Sequence, residues 1–186
     1  KVQLDAASVS YDNLISLNTK KQPIDYVHKM RPLAKIGGNL LAVHSRPDGT
    51  TAILVADVAG HDMGASYPAV LLKTLFLCFC EEVDTPASFF YGVNKVLSAS
   101  GNERMITAQL LIVNKSRSEV TITNAGHPPA LYYSSTAKKV AYIEMMGDVL
   151  GVLPDAQFYE ATIECTPEDT FLLYSDGMVD LKHIDG

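Results

Sequence analysis

The sequence predicts an α+β fold in which antiparallel sheets pack against helices. Strand-like segments come first, two helical segments follow, and at least five further strand-like segments complete the chain. A parallel α/β sheet needs a helix between successive strands, and this pattern lacks those helices. Of the 186 residues, 47% are hydrophobic and 19% are charged, so a single domain over residues 1–186 can bury a sizeable core.

Three strand-like segments precede the helices. Residues 24–31 alternate apolar and polar side chains, and Pro32 ends the pattern. Residues 40–44 and 52–56 flank the turn sequence Pro47-Asp48-Gly49, which predicts a β-hairpin.

Two helices are predicted next, over residues 63–83 and 86–99. Apolar residues recur at helical spacing through the first, and Asp62 stands where an N-cap is expected. Thr85 is predicted to cap the second helix, with Pro86 at its first position. We expect the two helices to pack antiparallel on one face of the sheets.

The rest of the chain is predicted to be mostly strand. The predicted strands cover residues 105–113, 119–124, 130–133, 158–163 and 171–174. The pair Lys138-Lys139 falls between two of them and is interpreted as solvated loop charge.

Composition excludes several classes of function. A net charge of −6 and a pI near 5.3 argue against nucleic acid or an anionic membrane as the main partner. No apolar run approaches the roughly 18 residues of a membrane span. Three cysteines without a CxxC spacing predict buried thiols in a cytoplasmic protein. Because the chain begins with Lys1 and not with methionine, we expect it to have been cut from something longer, to have been processed, or to lack its first residues here.

The candidate chemistry is acidic, since the GxSxG, HExxH and P-loop motifs are all missing. Two apolar strands each run into an aspartate followed by a glycine-containing loop, at Asp57 and at Asp176. Carboxylates and backbone carbonyls are the oxygen ligands that Mg²⁺ and Mn²⁺ prefer. The alternative is that Asp-Gly is an ordinary turn sequence, and spacing alone favours this alternative by roughly two to one.

Five segments, taken in order, resemble a known family. The stretch Asp57-Val58-Ala59-Gly60-His61 is similar to the D-V-(S/A)-G-H motif of PPM-type phosphatases related to stage II sporulation protein E and RsbU. Four further segments agree with the same family: Arg31-Pro32 with Ile36-Gly37-Gly38, residues 124–130 (N-A-G-H-P-P-A), Leu150-Gly151-Val152, and residues 174–180 (Y-S-D-G-M-V-D).

The resemblance implies an α-β-β-α sandwich of two antiparallel sheets and a site for two Mn²⁺ or Mg²⁺ ions. Asp57 would bridge the two ions, the Val58 carbonyl would add a ligand, and Asp176 would hold the second ion. Asp180 matches a position that helps a third, weaker ion. His61 is either a proton donor to the leaving serine oxygen or a residue that stabilises its loop. His127 is interpreted as structural.

Two departures from the family lower the expected metal affinity. Asn39 stands where the family has an aspartate that helps to hold the metals. The family also supplies a later metal-binding aspartate, whereas this sequence stops at Gly186. We therefore expect weak metal occupancy and little activity from this chain alone. The rival interpretation is a phosphatase-like adaptor of the RssB type, which keeps the fold and acts by binding a partner protein.

The resemblance also implies partners. The expected substrate is a phosphorylated serine or threonine on an anti-sigma factor antagonist. A sensor or receiver domain is expected upstream, and a homodimer is compatible with the resemblance. Neither nucleic acid nor a membrane is expected to bind this segment.

Overall fold

The computed structural model describes residues 10–16, 23–31, 36–60, 62–101 and 103–179. In these ranges the helices are α1 (residues 10–15), α2 (Met63–Phe79) and α3 (Pro86–Ala99). The strands are β1 (Leu40–Ser45), β2 (Thr51–Val58), β3 (Ile106–Asn114), β4 (Glu119–Ala125), β5 (Ala130–Ser134), β6 (Lys139–Ile143), β7 (Glu160–Glu164) and β8 (Thr170–Leu172). A 3₁₀ turn spans Asp176–Met178.

The strands form two antiparallel sheets, as the sequence predicts. One sheet has five strands in the order β1-β2-β3-β4-β7, and the other has three in the order β6-β5-β8. Helix α2 packs on β1 and β2, and α3 packs on β3 and β4. Both helices therefore cover one face of the five-stranded sheet, and the α+β prediction is confirmed.

Two apolar layers hold these parts together. The layer between the helices and the five-stranded sheet includes Leu54, Leu72, Phe76, Phe90 and Leu110. The layer between the two sheets is smaller and includes Leu111, Ile122, Ala130, Phe171 and Leu173. Because side chains alternate along a strand, β3 contributes Leu110 to one layer and Leu111 to the other.

Local sequence signals explain the turn and the starts of both helices. In the hairpin between β1 and β2, Asp48 Oδ1 accepts hydrogen bonds from the Thr50 amide at 2.9 Å and its hydroxyl at 2.7 Å. The Asp62 carboxylate accepts a bond from the Ala65 amide at 3.2 Å, so Asp62 is the N-cap of α2, as predicted. Thr85 and Ser88 form a reciprocal capping box at the start of α3.

Helix α2 ends at Phe79, four residues before the end predicted from the apolar spacing. Val83 continues that spacing, but it packs against the core from the following loop. There its carbonyl accepts a hydrogen bond from Arg46 Nη2 at 2.6 Å. Spacing alone cannot distinguish a helical apolar residue from a loop residue that reaches the same core.

Three further predictions need correction. The strand predicted over residues 24–31 is wrong, because this segment has no regular secondary structure and Val27 is fully exposed. Lys139 was interpreted as loop charge, but it begins β6 and lies opposite Ser134 of β5. Strand β6 is largely exposed and therefore lacks the strong apolar run of a buried strand. Cys78 is exposed rather than buried.

Thr85→Ala should lower the free energy of unfolding by about 1 kcal/mol, because it removes the hydroxyl that accepts the Ser88 amide at 3.2 Å. Urea denaturation monitored by circular dichroism measures this change. Thr85→Ser is the matched control, since it keeps the hydroxyl and should stay close to the wild type. Equal stability of Thr85→Ala and the wild type would contradict the assigned cap.

Candidate metal centre

The candidate site lies at one end of the space between the two sheets. Asp57, near the end of β2, lies opposite Thr107 of β3, and Asn39 directly precedes β1. Asp176 reaches the same place from the other sheet, because it starts the 3₁₀ turn that follows β8. The two aspartates therefore approach each other from opposite layers of the fold.

The carboxyl groups of Asp57 and Asp176 are in direct contact. Burial, the charge of Asp176 and a hydrogen bond with its side chain together raise the pKa of Asp57 from 3.8 to about 6. Two carboxylates this close cannot both ionise without cost unless a positive group lies between them. The matching strand-end positions of Asp57 and Asp176 in the sequence predict this proximity.

The side-chain amide of Asn39 is hydrogen-bonded to the Asp57 carboxylate. Of the two orientations of its amide, the one that satisfies hydrogen bonding directs the nitrogen to Oδ1 of Asp57 at 2.7 Å and to Oδ2 at 3.0 Å. The amide hydrogens thus supply a partial positive charge to this carboxylate. An aspartate at position 39 would instead add a third negative charge to the same place.

The Val58 carbonyl faces β1, and Gly38 makes room for it. The Val58 amide donates to the Gly38 carbonyl at 3.3 Å. A Cβ added at Gly38 would lie 2.5 Å from the Val58 carbonyl oxygen, so no side chain fits there. Sequence reasoning missed this role, although the position of Gly38 directly before Asn39 was an available signal.

His127 joins the two layers behind the aspartates. Its Nδ1 lies 2.9 Å from the Thr107 hydroxyl, and its backbone amide donates to Asn124 Oδ1 at 2.7 Å. Burial lowers its pKa to about 4, against the opposing effects of the Tyr174 carbonyl and the Asp176 charge. The ring is therefore neutral at pH 7, which fits the structural role predicted for it.

The remaining candidate residues, His61 and Asp180, lie outside the described residues. Across the described ranges, no group of three or more His, Cys, Asp or Glu side chains is placed to hold a metal ion. Asn39 contacts Asp57, but as an amide it is not a member of such a group.

The oxygen atoms at the site nevertheless fit a hard divalent cation. Two carboxylates and the Val58 carbonyl beside Gly38 offer oxygen ligands, as Mg²⁺ and Mn²⁺ require. The Asn39 amide would add another oxygen only by reversing the orientation that donates to Asp57. A cation would also relieve the repulsion between Asp57 and Asp176. With an amide at position 39, this set carries one negative charge fewer than it would with an aspartate there.

Asp57→Asn should stabilise the metal-free protein above pH 6. The folded chain keeps a proton on Asp57 between about pH 4 and pH 6, where the unfolded chain has lost it, so wild-type stability falls across this window as pH rises. Because Asp57 is only half-buried, solvent screening reduces the effect to the order of 1 kcal/mol.

Urea titrations in EDTA from pH 4.5 to 7.5 measure this difference, with Asp155→Asn in an exposed loop as the matched control. Parallel pH profiles for the wild type and Asp57→Asn would contradict the carboxyl contact.

None of the described helices is long and apolar enough to cross a membrane.

Comparisons with known proteins agree with this architecture. Two curated relatives come from Bacillus subtilis strain 168. Phosphoserine phosphatase RsbP is 24% identical over 152 residues, which cover 79% of this chain and 38% of RsbP. Phosphoserine phosphatase RsbU is 24% identical over 173 residues, which cover 92% of this chain and 47% of RsbU. The chain thus spans less than half the length of both curated relatives.

Among solved structures, the SiaA-PP2C domain of Pseudomonas aeruginosa has a TM-score of 0.73 at 18% identity. The match covers 96% of this chain and 72% of that one. At this identity the likeness shows a common fold.

The model of the family named stage II sporulation protein E (SpoIIE) matches residues 47–186, which is most of the chain. This match includes four of the five motif segments on which the resemblance was based, and it confirms that resemblance. The chain belongs to the SpoIIE family.

Proposed function

We propose that this chain carries the active site of a divalent-metal-dependent protein phosphatase that acts on phosphoserine or phosphothreonine. The single observation that carries the proposal is the contact between the Asp57 and Asp176 carboxyl groups, which come from different sheets and repel each other. Two carboxylates in contact lower the stability of a fold, and such arrangements are found most often at functional sites. Both curated relatives are phosphoserine phosphatases.

In this proposal Asp57 and Asp176 hold Mn²⁺ or Mg²⁺, with the Val58 carbonyl as a further ligand and Asp180 as an auxiliary one. When bound, these ions would neutralise the negative charge of the phosphoryl oxygens and lower the pKa of the attacking water. Asn39 offers one neutral oxygen, but only by reversing the amide orientation that donates to Asp57. No side chain is required as a nucleophile.

The proposed leaving group is the serine or threonine oxygen, which needs a proton as its bond to phosphorus breaks. His61 is placed by the sequence in the loop that follows Asp57 and Val58 and is proposed for this proton transfer or for holding that loop. His127 is not proposed for it, because burial keeps its ring neutral and its Nδ1 is engaged by Thr107.

We further propose that the substrate is a phosphorylated anti-sigma factor antagonist in the cytoplasm. In the full-length protein this single domain would be the output unit of a sensor or receiver domain, with a homodimer compatible with that arrangement. The support is the likeness to RsbU and RsbP and the net charge of −6, which disfavours nucleic acid.

An adaptor without turnover is the second candidate function, and Asn39 is the observation that favours it. Replacing a metal-binding aspartate with an amide removes one negative charge beside the cation and supplies Asp57 with a hydrogen-bond donor instead. A protein with this change could keep the fold for binding a partner while losing catalysis.

Asp57→Asn should abolish Mn²⁺-dependent phosphate release from a phosphoserine protein, because Asp57 is the side chain proposed to contact both metals. A loss of 100-fold or more is expected, on the order of 3 kcal/mol or more in activation free energy. The assay uses the full-length protein, with Asp155→Asn as the control. Retention of full activity in Asp57→Asn would refute the proposed metal role.

Asn39→Asp should act in the opposite direction. It restores a negative charge beside the cation, so Mn²⁺ affinity measured by calorimetry should rise about ten-fold and the rate at limiting Mn²⁺ should rise with it. The metal-free variant should be less stable, because three carboxyl groups then meet. If affinity and rate both stay unchanged, the role assigned to Asn39 is wrong. Partner binding without any metal-dependent turnover would favour the adaptor.

A further inference from the structure

Arg104 spans the loop that connects β2 to α2. Its Nη1 donates to the Ala59 carbonyl at 2.9 Å, and its Nη2 donates to the Asp62 carboxylate at 3.0 Å. One planar guanidinium therefore holds both ends of the segment that follows Asp57 and Val58. Arg104 lies outside the five family-like motifs, and no sequence pattern assigns it a role.

The backbone next to Arg104 holds the same segment from the other side. The Ala59 amide donates to the Met105 carbonyl at 2.9 Å. In a trans peptide the C=O of one residue and the N–H of the next point in opposite directions. The Val58 carbonyl must therefore point away from β3, and it lies against Gly38 on the β1 side. Residues 104 and 105 together fix the direction of this proposed ligand.

Two glycines leave the space that the Arg104 guanidinium occupies. A Cβ on Gly60 would lie 2.2 Å from Arg104 Nη1, and Gly60 also has a φ of 105°, which disfavours other residues. A Cβ on Gly64, within the first turn of α2, would lie 2.6 Å from Arg104 Nη2. Both glycines thus accommodate Arg104 as well as the turn of the chain.

We propose that Arg104 is a positioning residue for the metal centre. By holding Ala59 and Asp62 at once, it fixes the loop so that the Val58 carbonyl and the Asp57 carboxylate keep their positions at the site. The inference rests on the proposed function, because it assigns Arg104 to that same metal site. Only a forked, planar cation can hold a carbonyl and a carboxylate three residues apart in this way.

The first test is Arg104→Lys, which keeps the charge but loses the fork. We expect Mn²⁺ affinity measured by calorimetry to fall about ten-fold, as for other residues that orient metal ligands. Tm should change little, because a partly exposed ion pair contributes little to stability. Without metal, amide hydrogen exchange in residues 57–62 should be faster. Arg117→Lys is the matched control, since this exposed arginine pairs only loosely with Glu119 at 3.8 Å.

Gly64→Ala separates positioning from stability. The added methyl would lie 2.6 Å from Arg104 Nη2 and 3.0 Å from Asp62 Oδ1, so it disturbs the contact between these two side chains without changing any charge. Mn²⁺ affinity should therefore fall as it does in Arg104→Lys. Alanine is also a better helix former than glycine, by up to about 1 kcal/mol, so Tm should stay level or rise. A merely structural role for Arg104 would not combine weaker metal binding with undiminished stability.

The outcomes distinguish this inference from the proposed function. If the wild type binds Mn²⁺ and both variants bind it equally well, Arg104 does not position the site and the inference is overturned. If the wild type binds no Mn²⁺, the proposed metal function fails. Hydrogen exchange then decides the inference: unchanged exchange in residues 57–62 of Arg104→Lys overturns it, and faster exchange supports the contact itself.

Discussion

The contact between Asp57 and Asp176 constrains much of the surrounding structure. One carboxyl group comes from β2 of the five-stranded sheet, and the other follows β8 of the three-stranded sheet. The apolar layer between the sheets, with Leu111 and Ile122 at its centre, holds the layers together and so opposes the repulsion between the two groups. The pKa of Asp57 is raised first by burial and then by the charge of Asp176, so the repulsion contributes part of that rise. Such a cost is typical of a functional site, where stability is given up for a particular arrangement of charges.

Residues next to the two aspartates hold the carboxyl groups and the Val58 carbonyl in place. Asn39 donates to Asp57, and Gly38 leaves space for the Val58 carbonyl. His127 contacts both layers, and its ring is neutral at pH 7. It therefore adds no positive charge that would repel a bound cation. Arg104 is turned towards Ala59 and Asp62 and donates a hydrogen bond to each.

Patterns that depend on local sequence predicted the fold well. The hairpin around Asp48, the Asp62 cap and the capping box at Thr85 all follow from neighbouring residues in the chain. The wrong secondary-structure predictions are those in which the segment pairs with no strand, or in which an apolar residue reaches the core from a loop. Residues 24–31 alternate like a strand but pair with nothing in the described structure, and Val83 has helical spacing but packs from a loop.

The sequence by itself determined the antiparallel α+β class, the SpoIIE-family motifs and the candidate ligands Asp57, Val58 and Asp176. These follow from local chemistry and from the order of segments along the chain. Only the tertiary structure decided which other groups meet the two aspartates. Asn39 could be recognised as a departure from the family, but its contact with Asp57 depends on the register of β1 against β2. Arg104 is 45 residues from Ala59 in the chain, so no local pattern links them. Long-range pairing of strands brings such residues together, and the free energy of burying the apolar layers keeps them there.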